Sequence, residues 1–138
     1  MWRKVFENRY CHIDEHTDSP VLRFSRNSTP FESSAAVQRS FTEAAAVLDG
    51  LGRERHVLLV DLRRAPPRND PEFEQAMAAM RKRMLEGFSR SAVLVQTAAG
   101  ALQVRRHQRD DRAERSATFQ DEGAAMAFLL GGGQSPPV

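Results

Sequence analysis

Two segments near the start of the chain alternate apolar and polar side chains with the period of a β-strand. In residues 8–16, Cys11 and Ile13 fall on one face, and residues 21–26 show the same alternation. Period-2 alternation predicts two strands. The intervening residues 17–20, Thr-Asp-Ser-Pro, have the composition of a turn, so the pattern predicts a hairpin.

The pattern then changes to helical spacing. Thr29, Pro30 and Glu32 have the spacing of a capping box with proline at the first helical position, which predicts a helix that begins there and ends at Gly50. Its apolar positions predict one buried face. These positions are Val37, Phe41, Ala44, Ala45 and Leu48.

Residues 57–60 and 92–95 are apolar runs without alternation, which is typical of strands covered on both faces of a parallel sheet. A helix is predicted between them, with Asp70 as its N-cap and Pro71 at its first position. Its apolar stripe consists of Phe73, Met77, Met80 and Met84.

The sequence pattern in the last third of the chain predicts a helix, then a strand, then a second helix. Thr97 caps the first helix, although a strand through Leu102 and Val104 is the alternative; the helix is favoured. A short strand at 117–119 and a helix capped by Asp121 follow. The order β-β-α-β-α-β-α-β-α predicts an α/β fold with a mostly parallel central sheet, an antiparallel N-terminal edge hairpin and about four helices.

The length of 138 residues fits one domain, which we expect over residues 1–130, and the Gly- and Pro-rich residues 131–138 predict a flexible tail. One cysteine excludes an intramolecular disulfide and suits the reducing cytosol. Residues 1–7 contain Glu7 and no long apolar run, which is unlike a secretory signal. No segment approaches the roughly 20 apolar residues of a membrane span, so we expect a cytoplasmic protein.

The charge pattern does not favour nucleic acid as a partner. The formal net charge is only +2, and the densest basic patch, residues 105–109, is followed directly by Asp110, Asp111 and Glu114. No aromatic residue interleaves with the arginines for base stacking. A solvated surface is the better interpretation of this patch.

The sequence offers no set of residues for catalysis or metal binding. His12 and His16 share one strand, but no third ligand has suitable spacing, and a metal site needs three or four. Cys11 and His12 are neighbours in a strand and point to opposite faces, so they cannot act as nucleophile and base. We therefore expect no enzyme, no metal and no cofactor.

One group of polar residues follows the first buried strand, at the edge where α/β sheets bind ligands. The arginines of this group could hold an anion beside the helix that begins at Asp70. The favoured alternative is that Arg63 or Arg64 pairs with Asp61 or Asp70. The candidate site comprises Asp61, Arg63, Arg64, Arg68, Asn69 and Asp70.

Three segments resemble the STAS fold of sulfate transporters and anti-sigma-factor antagonists, in its SpoIIAA-like branch. They are residues 57–63 (Val-Leu-Leu-Val-Asp-Leu-Arg), residues 87–88 with 92–95, and residues 119–122 before Ala124-Ala125. The resemblance covers roughly residues 8–130. It implies a non-enzymatic signalling module that acts through contact with an unidentified protein partner, and it is compatible with a dimer.

The resemblance also identifies a departure. STAS regulators of the phosphorylated type carry a serine at the start of the helix after the central strand, and a partner kinase modifies it. Here the matching residues 63–71 contain no serine or threonine, and Asp70 takes the capping place. A phosphoswitch at this position is therefore excluded.

The SpoIIAA-like branch also resembles lipid-carrier folds in shape. This implies an alternative function, a carrier or sensor of a small apolar ligand that binds between the sheet and the helices. Phe73, Met77, Met80 and Met84 would line its pocket, since methionine adapts well to varied ligands. The same four side chains are also compatible with an ordinary core.

Overall fold

A computed structural model describes residues 1–66, 70–110 and 116–131. Six strands form one sheet in the order of the chain. They are β1 (Trp2–Glu7), β2 (Cys11–His16), β3 (Val21–Arg26), β4 (Val57–Asp61), β5 (Ser91–Leu94) and β6 (Ser116–Phe119). The four α-helices are α1 (Ser34–Leu51), α2 (Pro71–Leu85), α3 (Ala98–Asp110) and α4 (Glu122–Leu129).

The sheet is antiparallel at its N-terminal edge and parallel beyond it. β1, β2 and β3 pair antiparallel, and β3, β4, β5 and β6 pair parallel. This confirms the predicted α/β class with an antiparallel N-terminal hairpin and four helices. The antiparallel part has three strands and not the two expected, because β1 pairs with the outer edge of β2. Most β1 side chains are exposed, so the strand has no buried row that its sequence could reveal.

The two faces of the sheet carry different helices. One continuous row across the strands, Ile13, Phe24, Val60, Val93 and Thr118, faces α1, α2 and α3. The opposite face packs against α4, whose Ala125, Phe128 and Leu129 contact a second apolar cluster around β4, β5 and β6. The central strands are therefore covered on both faces, as their apolar runs predict.

The start of α1 differs from the prediction. The N-cap is Ser33, whose hydroxyl accepts a hydrogen bond of 3.1 Å from the backbone N–H of Ala36, and not Thr29. Phe31 is buried between the rings of Tyr10 and Phe41, with centroids 4.6 and 6.1 Å away. The segment before Ser33 remains non-helical because burying Phe31 outweighs the local capping preference.

Other helix predictions are confirmed, with small shifts at the ends. Asp70 is the N-cap residue of α2, and Pro71 is its first residue. Residues 98–107 lie within a helix and not a strand, and the hydroxyl of Thr97 accepts a hydrogen bond of 3.0 Å from the N–H of Gly100. α1 ends at Leu51, and its C-cap is Gly52, two residues after the predicted Gly50, with a φ of 92° that glycine adopts readily. None of the helices in the described ranges is both long and apolar enough to cross a membrane.

Candidate functional site

A partly open cavity of about 610 Å³ lies over the middle of the sheet, between α2 and α3. Its floor is formed by Phe24, Val60 and Val93 from three neighbouring strands. On the β2–β3 side the sheet is covered by α1, and on the β6 side by α3. The cavity therefore occupies the gap in the helical layer above the two central parallel strands.

Three of the four residues predicted for an apolar pocket line this cavity. Phe73, Met77 and Met84 of α2 contribute to the wall, and Phe73 and Met84 are themselves buried. Met80 is half-buried and packs against the main core, but it does not line the cavity. The apolar stripe of α2 is thus divided between a wall of the cavity and ordinary core packing.

A contact between His107 and Glu74 connects the two helical walls. Nε2 of His107 in α3 lies 3.3 Å from a carboxylate oxygen of Glu74 in α2, and both residues line the cavity. Below this pair, Gln108 ties α3 to the sheet. Its side-chain N–H donates to the hydroxyl of Ser116 at 2.9 Å, and its side-chain oxygen accepts a hydrogen bond from the Thr118 hydroxyl at 2.9 Å.

A buried arginine forms part of the cavity rim. Arg26 is 6% exposed and donates to the carbonyl oxygens of Tyr10 at 2.6 Å and Thr29 at 3.1 Å. Its guanidinium also lies 4.2 Å from the ring centroid of Phe31. Burial lowers the pKa of Arg26, but an arginine stays charged in any protein. Its hydrogen bonds hold the segment before α1 against the sheet.

The polar residues predicted at the carboxyl edge of β4 have different surroundings. Arg63 binds Asp61 with two side-chain hydrogen bonds of 3.0 and 2.8 Å, the pairing that the sequence favoured. Burial opposes the ionisation of Asp61, but hydrogen bonds from Arg63 outweigh it and hold the pKa of Asp61 below its usual range. Arg64 and Asp70 are exposed. Arg68 and Asn69 lie outside the described residues.

The ion pairs at this edge extend further than the sequence indicated. Glu122, the first residue of α4, lies 3.6 Å from Arg63 and 3.5 Å from Arg23, and Arg23 binds the buried Asp14 at 2.9 Å. The ring of Trp2 stacks on Arg23 with 4.2 Å from the guanidinium carbon to the centroid. Arg23 and Asp14 oppose each other in the antiparallel register, a relationship that appears only once the strands are paired.

The three residues considered for nucleophilic or metal chemistry contact different partners. Cys11 is 1% exposed, and burial raises the pKa of its thiol, while a hydrogen bond with Ser40 acts in the other direction. His12 contacts Asp14, and His16 bonds to Ser19 in the turn of the hairpin. Within the described ranges, no group of three or more potential ligands could hold a metal ion.

Comparison with known proteins finds a match in structure and none in sequence. No family model and no curated protein matches its sequence. A solved structure does match: an uncharacterised protein of the DUF3478 family from Shewanella loihica PV-4, which has a SpoIIAA-like fold. The two superpose with a TM-score of 0.63 at 15% sequence identity, over 91% of this chain and 98% of that one. The chain described here therefore has a SpoIIAA-like fold.

Proposed function

We propose that this protein binds a small, largely apolar molecule between its sheet and its helices α2 and α3, without catalysing a reaction. The observation that carries the proposal is the cavity of about 610 Å³. Pockets for small molecules typically measure about 300–1,000 Å³, so this cavity has the volume of a ligand site.

The character of the walls supports an apolar ligand. Phe24, Val60 and Val93 form the floor, and Phe73 and Met77 add a ring and a flexible thioether from α2. Most polar groups at the cavity are already engaged. Among the charged lining residues, Glu74 pairs with His107, and Arg63 pairs with Asp61 outside the cavity, so these side chains already have partners within the protein. An apolar body therefore fits the cavity better than a nucleotide does.

The test uses a fluorescent apolar probe, anilinonaphthalene sulfonate, and two variants of α2. Met77→Trp places a large ring in the cavity, and we expect at least a tenfold loss of probe affinity. Met80→Trp is the matched control, because Met80 is also half-buried on α2 but does not line the cavity. Equal probe binding by both variants, or no binding by the wild type, would contradict the proposal. Native mass spectrometry of freshly purified protein would identify a ligand that is retained.

The SpoIIAA-like fold favours a second candidate function, a cytoplasmic regulatory module that acts through contact with another protein. The carboxyl edge with Asp61, Arg63 and Arg64 is the surface we assign to that contact, because Arg64 is exposed beside the Arg63–Asp61 pair. A pull-down that compares the wild type with Arg64→Glu tests this candidate. If both recover the same proteins, Arg64 is not part of the contact.

A further inference from the structure

Arg26, the last residue of β3, places a positive charge inside the protein. Only 6% of the residue is exposed. Its guanidinium donates to the backbone carbonyl oxygens of Tyr10, Asn27 and Thr29, which carry no charge. In the described part of the chain it forms no ion pair with an aspartate or glutamate. Burial of a charge costs free energy unless an opposite charge compensates it, so the hydrogen bonds alone do not explain why a cation stands here.

Arg26 extends the floor of the cavity toward the carboxyl edge of the sheet. It lies two residues after Phe24 and therefore on the same face of β3, since the side chains of a strand alternate between faces. Both residues line the cavity. Two residues of a strand span about 7 Å. The apolar floor at Phe24, Val60 and Val93 thus has a buried cation at one end.

The guanidinium of Arg26 retains hydrogen-bond donors for a ligand. The three carbonyl oxygens take Nη1 and Nη2, so the Nε–H has no acceptor within the described ranges. No fully buried side-chain nitrogen of the described residues lacks a partner, so this Nε is accessible. Nε and Nη2 form the edge of a guanidinium that binds a carboxylate with two parallel hydrogen bonds. Arg63 binds Asp61 through this same edge, at 3.0 and 2.8 Å.

The charges around the cavity favour a ligand with one negative charge. Arg63 and Glu74 have partners within the protein, and so does Arg81. Arg26 leaves one positive charge uncompensated, whereas a group with two negative charges would bring an excess charge into the site. The first turn of α3 also lines the cavity, at Gly100, and the positive end of the helix dipole favours an anion there.

We propose that the ligand of the cavity is an alkyl carboxylic acid, whose alkyl chain lies over Phe24, Val60 and Val93 and whose carboxylate pairs with Arg26. This rests on the proposed function, because it assigns a chemical class to the molecule that the cavity binds. The apolar floor buries the methylene groups, each of which strengthens binding by about fourfold. The charge of Arg26 selects the acid over the alcohol of equal length.

The test measures how three ten-carbon molecules displace a neutral apolar probe, N-phenyl-1-naphthylamine. The molecules are decanoate, 1-decanol and decyl phosphate. The wild type should bind decanoate more tightly than decanol by roughly tenfold or more, the gain from a charge-assisted hydrogen bond. Decyl phosphate at pH 8, where its head group carries close to two charges, should bind more weakly than decanoate.

Two variants locate the preference for the acid. Arg26→Met retains the length of the side chain without its charge, so it should bind decanol as the wild type does and lose the preference for decanoate. Arg39→Met is the control of equal charge change, at an exposed position of α1 that does not line the cavity, and it should keep the preference. If Arg26→Met no longer binds the probe, Arg26→Lys replaces it. Lysine keeps the charge but not the two-donor edge, so its preference for decanoate should be several-fold smaller than that of the wild type.

Loss of the preference at Arg26 but not at Arg39 supports the proposal. Equal binding of decanoate and decanol by the wild type overturns it and leaves the proposed function intact, and this comparison needs no variant. A preference that the Arg26 variants keep in full, or tighter binding of decyl phosphate than of decanoate, also overturns it. If the wild type binds neither the probe nor any of the three molecules, the proposed function itself is wrong.

Discussion

Arg53 donates a hydrogen bond of 3.0 Å from Nη1 to the carbonyl oxygen of Met84, the penultimate residue of α2. The same nitrogen lies 2.8 Å from the carbonyl oxygen of Arg83 and 2.7 Å from that of Glu86. Carbonyl groups at the C-terminal end of a helix have no partner within the helix. Arg53, which is only 7% exposed, therefore caps α2 from the turn that follows α1.

Arg53→Met should remove this cap while it retains most of the apolar contact of the side chain. We expect a loss of about 2–4 kcal/mol in the free energy of unfolding, because one buried and two partly buried carbonyl groups lose a charged donor. Arg55→Met in the same turn is the control, and its exposed side chain predicts a change within about 0.5 kcal/mol. Urea denaturation of both variants measures the difference. Equal losses would show that the cap contributes nothing specific.

Asp49 of α1 pairs with Arg83 of α2 beside this cap, and the pair should make stability depend on pH. The hydrogen bond of 2.6 Å from Arg83 lowers the pKa of Asp49, and a second one from Arg53 acts in the same direction against slight burial. A carboxyl whose pKa is lowered on folding stabilises the protein above its unfolded pKa of about 3.9. This contribution disappears as the pH falls through the lower, folded pKa.

Asp49→Asn should therefore be less stable than the wild type at neutral pH, and the difference should shrink as the pH falls below about 4. Asp49 is about half exposed, so solvent screens its ion pairs, and the effect should be modest and should decrease in salt. Thermal melts at several pH values measure it. A difference that stays constant down to the lowest pH would contradict the assignment of the lowered pKa to Asp49.

Much of the fold could be predicted because local patterns and tertiary packing agree. The buried runs at 57–60 and 92–95 became central strands, and the apolar stripe of α1 became a buried face. Prediction failed where a distant residue decides the local structure. Phe31 delays the start of α1 because Tyr10 and Phe41 provide its site, and neither ring is close in sequence.

The candidate site could be predicted less well, for a geometric reason. An apolar stripe on α2 shows which side of the helix turns inward, but not how far the helix stands from its neighbour. Met77 and Met80 belong to the same stripe, yet only Met77 meets the cavity. Buried arginines are a second difficulty. Arginine is usually exposed, but Arg26 and Arg53 are buried and donate hydrogen bonds inside the protein.

The pair of Glu74 and His107 joins α2 to α3 across the cavity, at 3.3 Å, and this predicts a role in ligand release. Glu74→Gln retains the shape of the side chain and removes its charge. A partly exposed polar contact of this kind contributes up to about 1 kcal/mol, so bound anilinonaphthalene sulfonate should dissociate about two- to fivefold faster. Stopped-flow displacement of the probe measures this rate.

The control for this prediction is Glu72→Gln on the same helix. Glu72 accepts a hydrogen bond of 2.7 Å from the Ser34 hydroxyl, so it connects α2 to α1 and not to α3. Its loss should leave the dissociation rate unchanged, because the floor and the α3 wall of the cavity do not depend on that contact. If the two variants released the probe equally fast, exchange would proceed through a general loosening of α2. A selective effect of Glu74→Gln would instead locate the exit between α2 and α3.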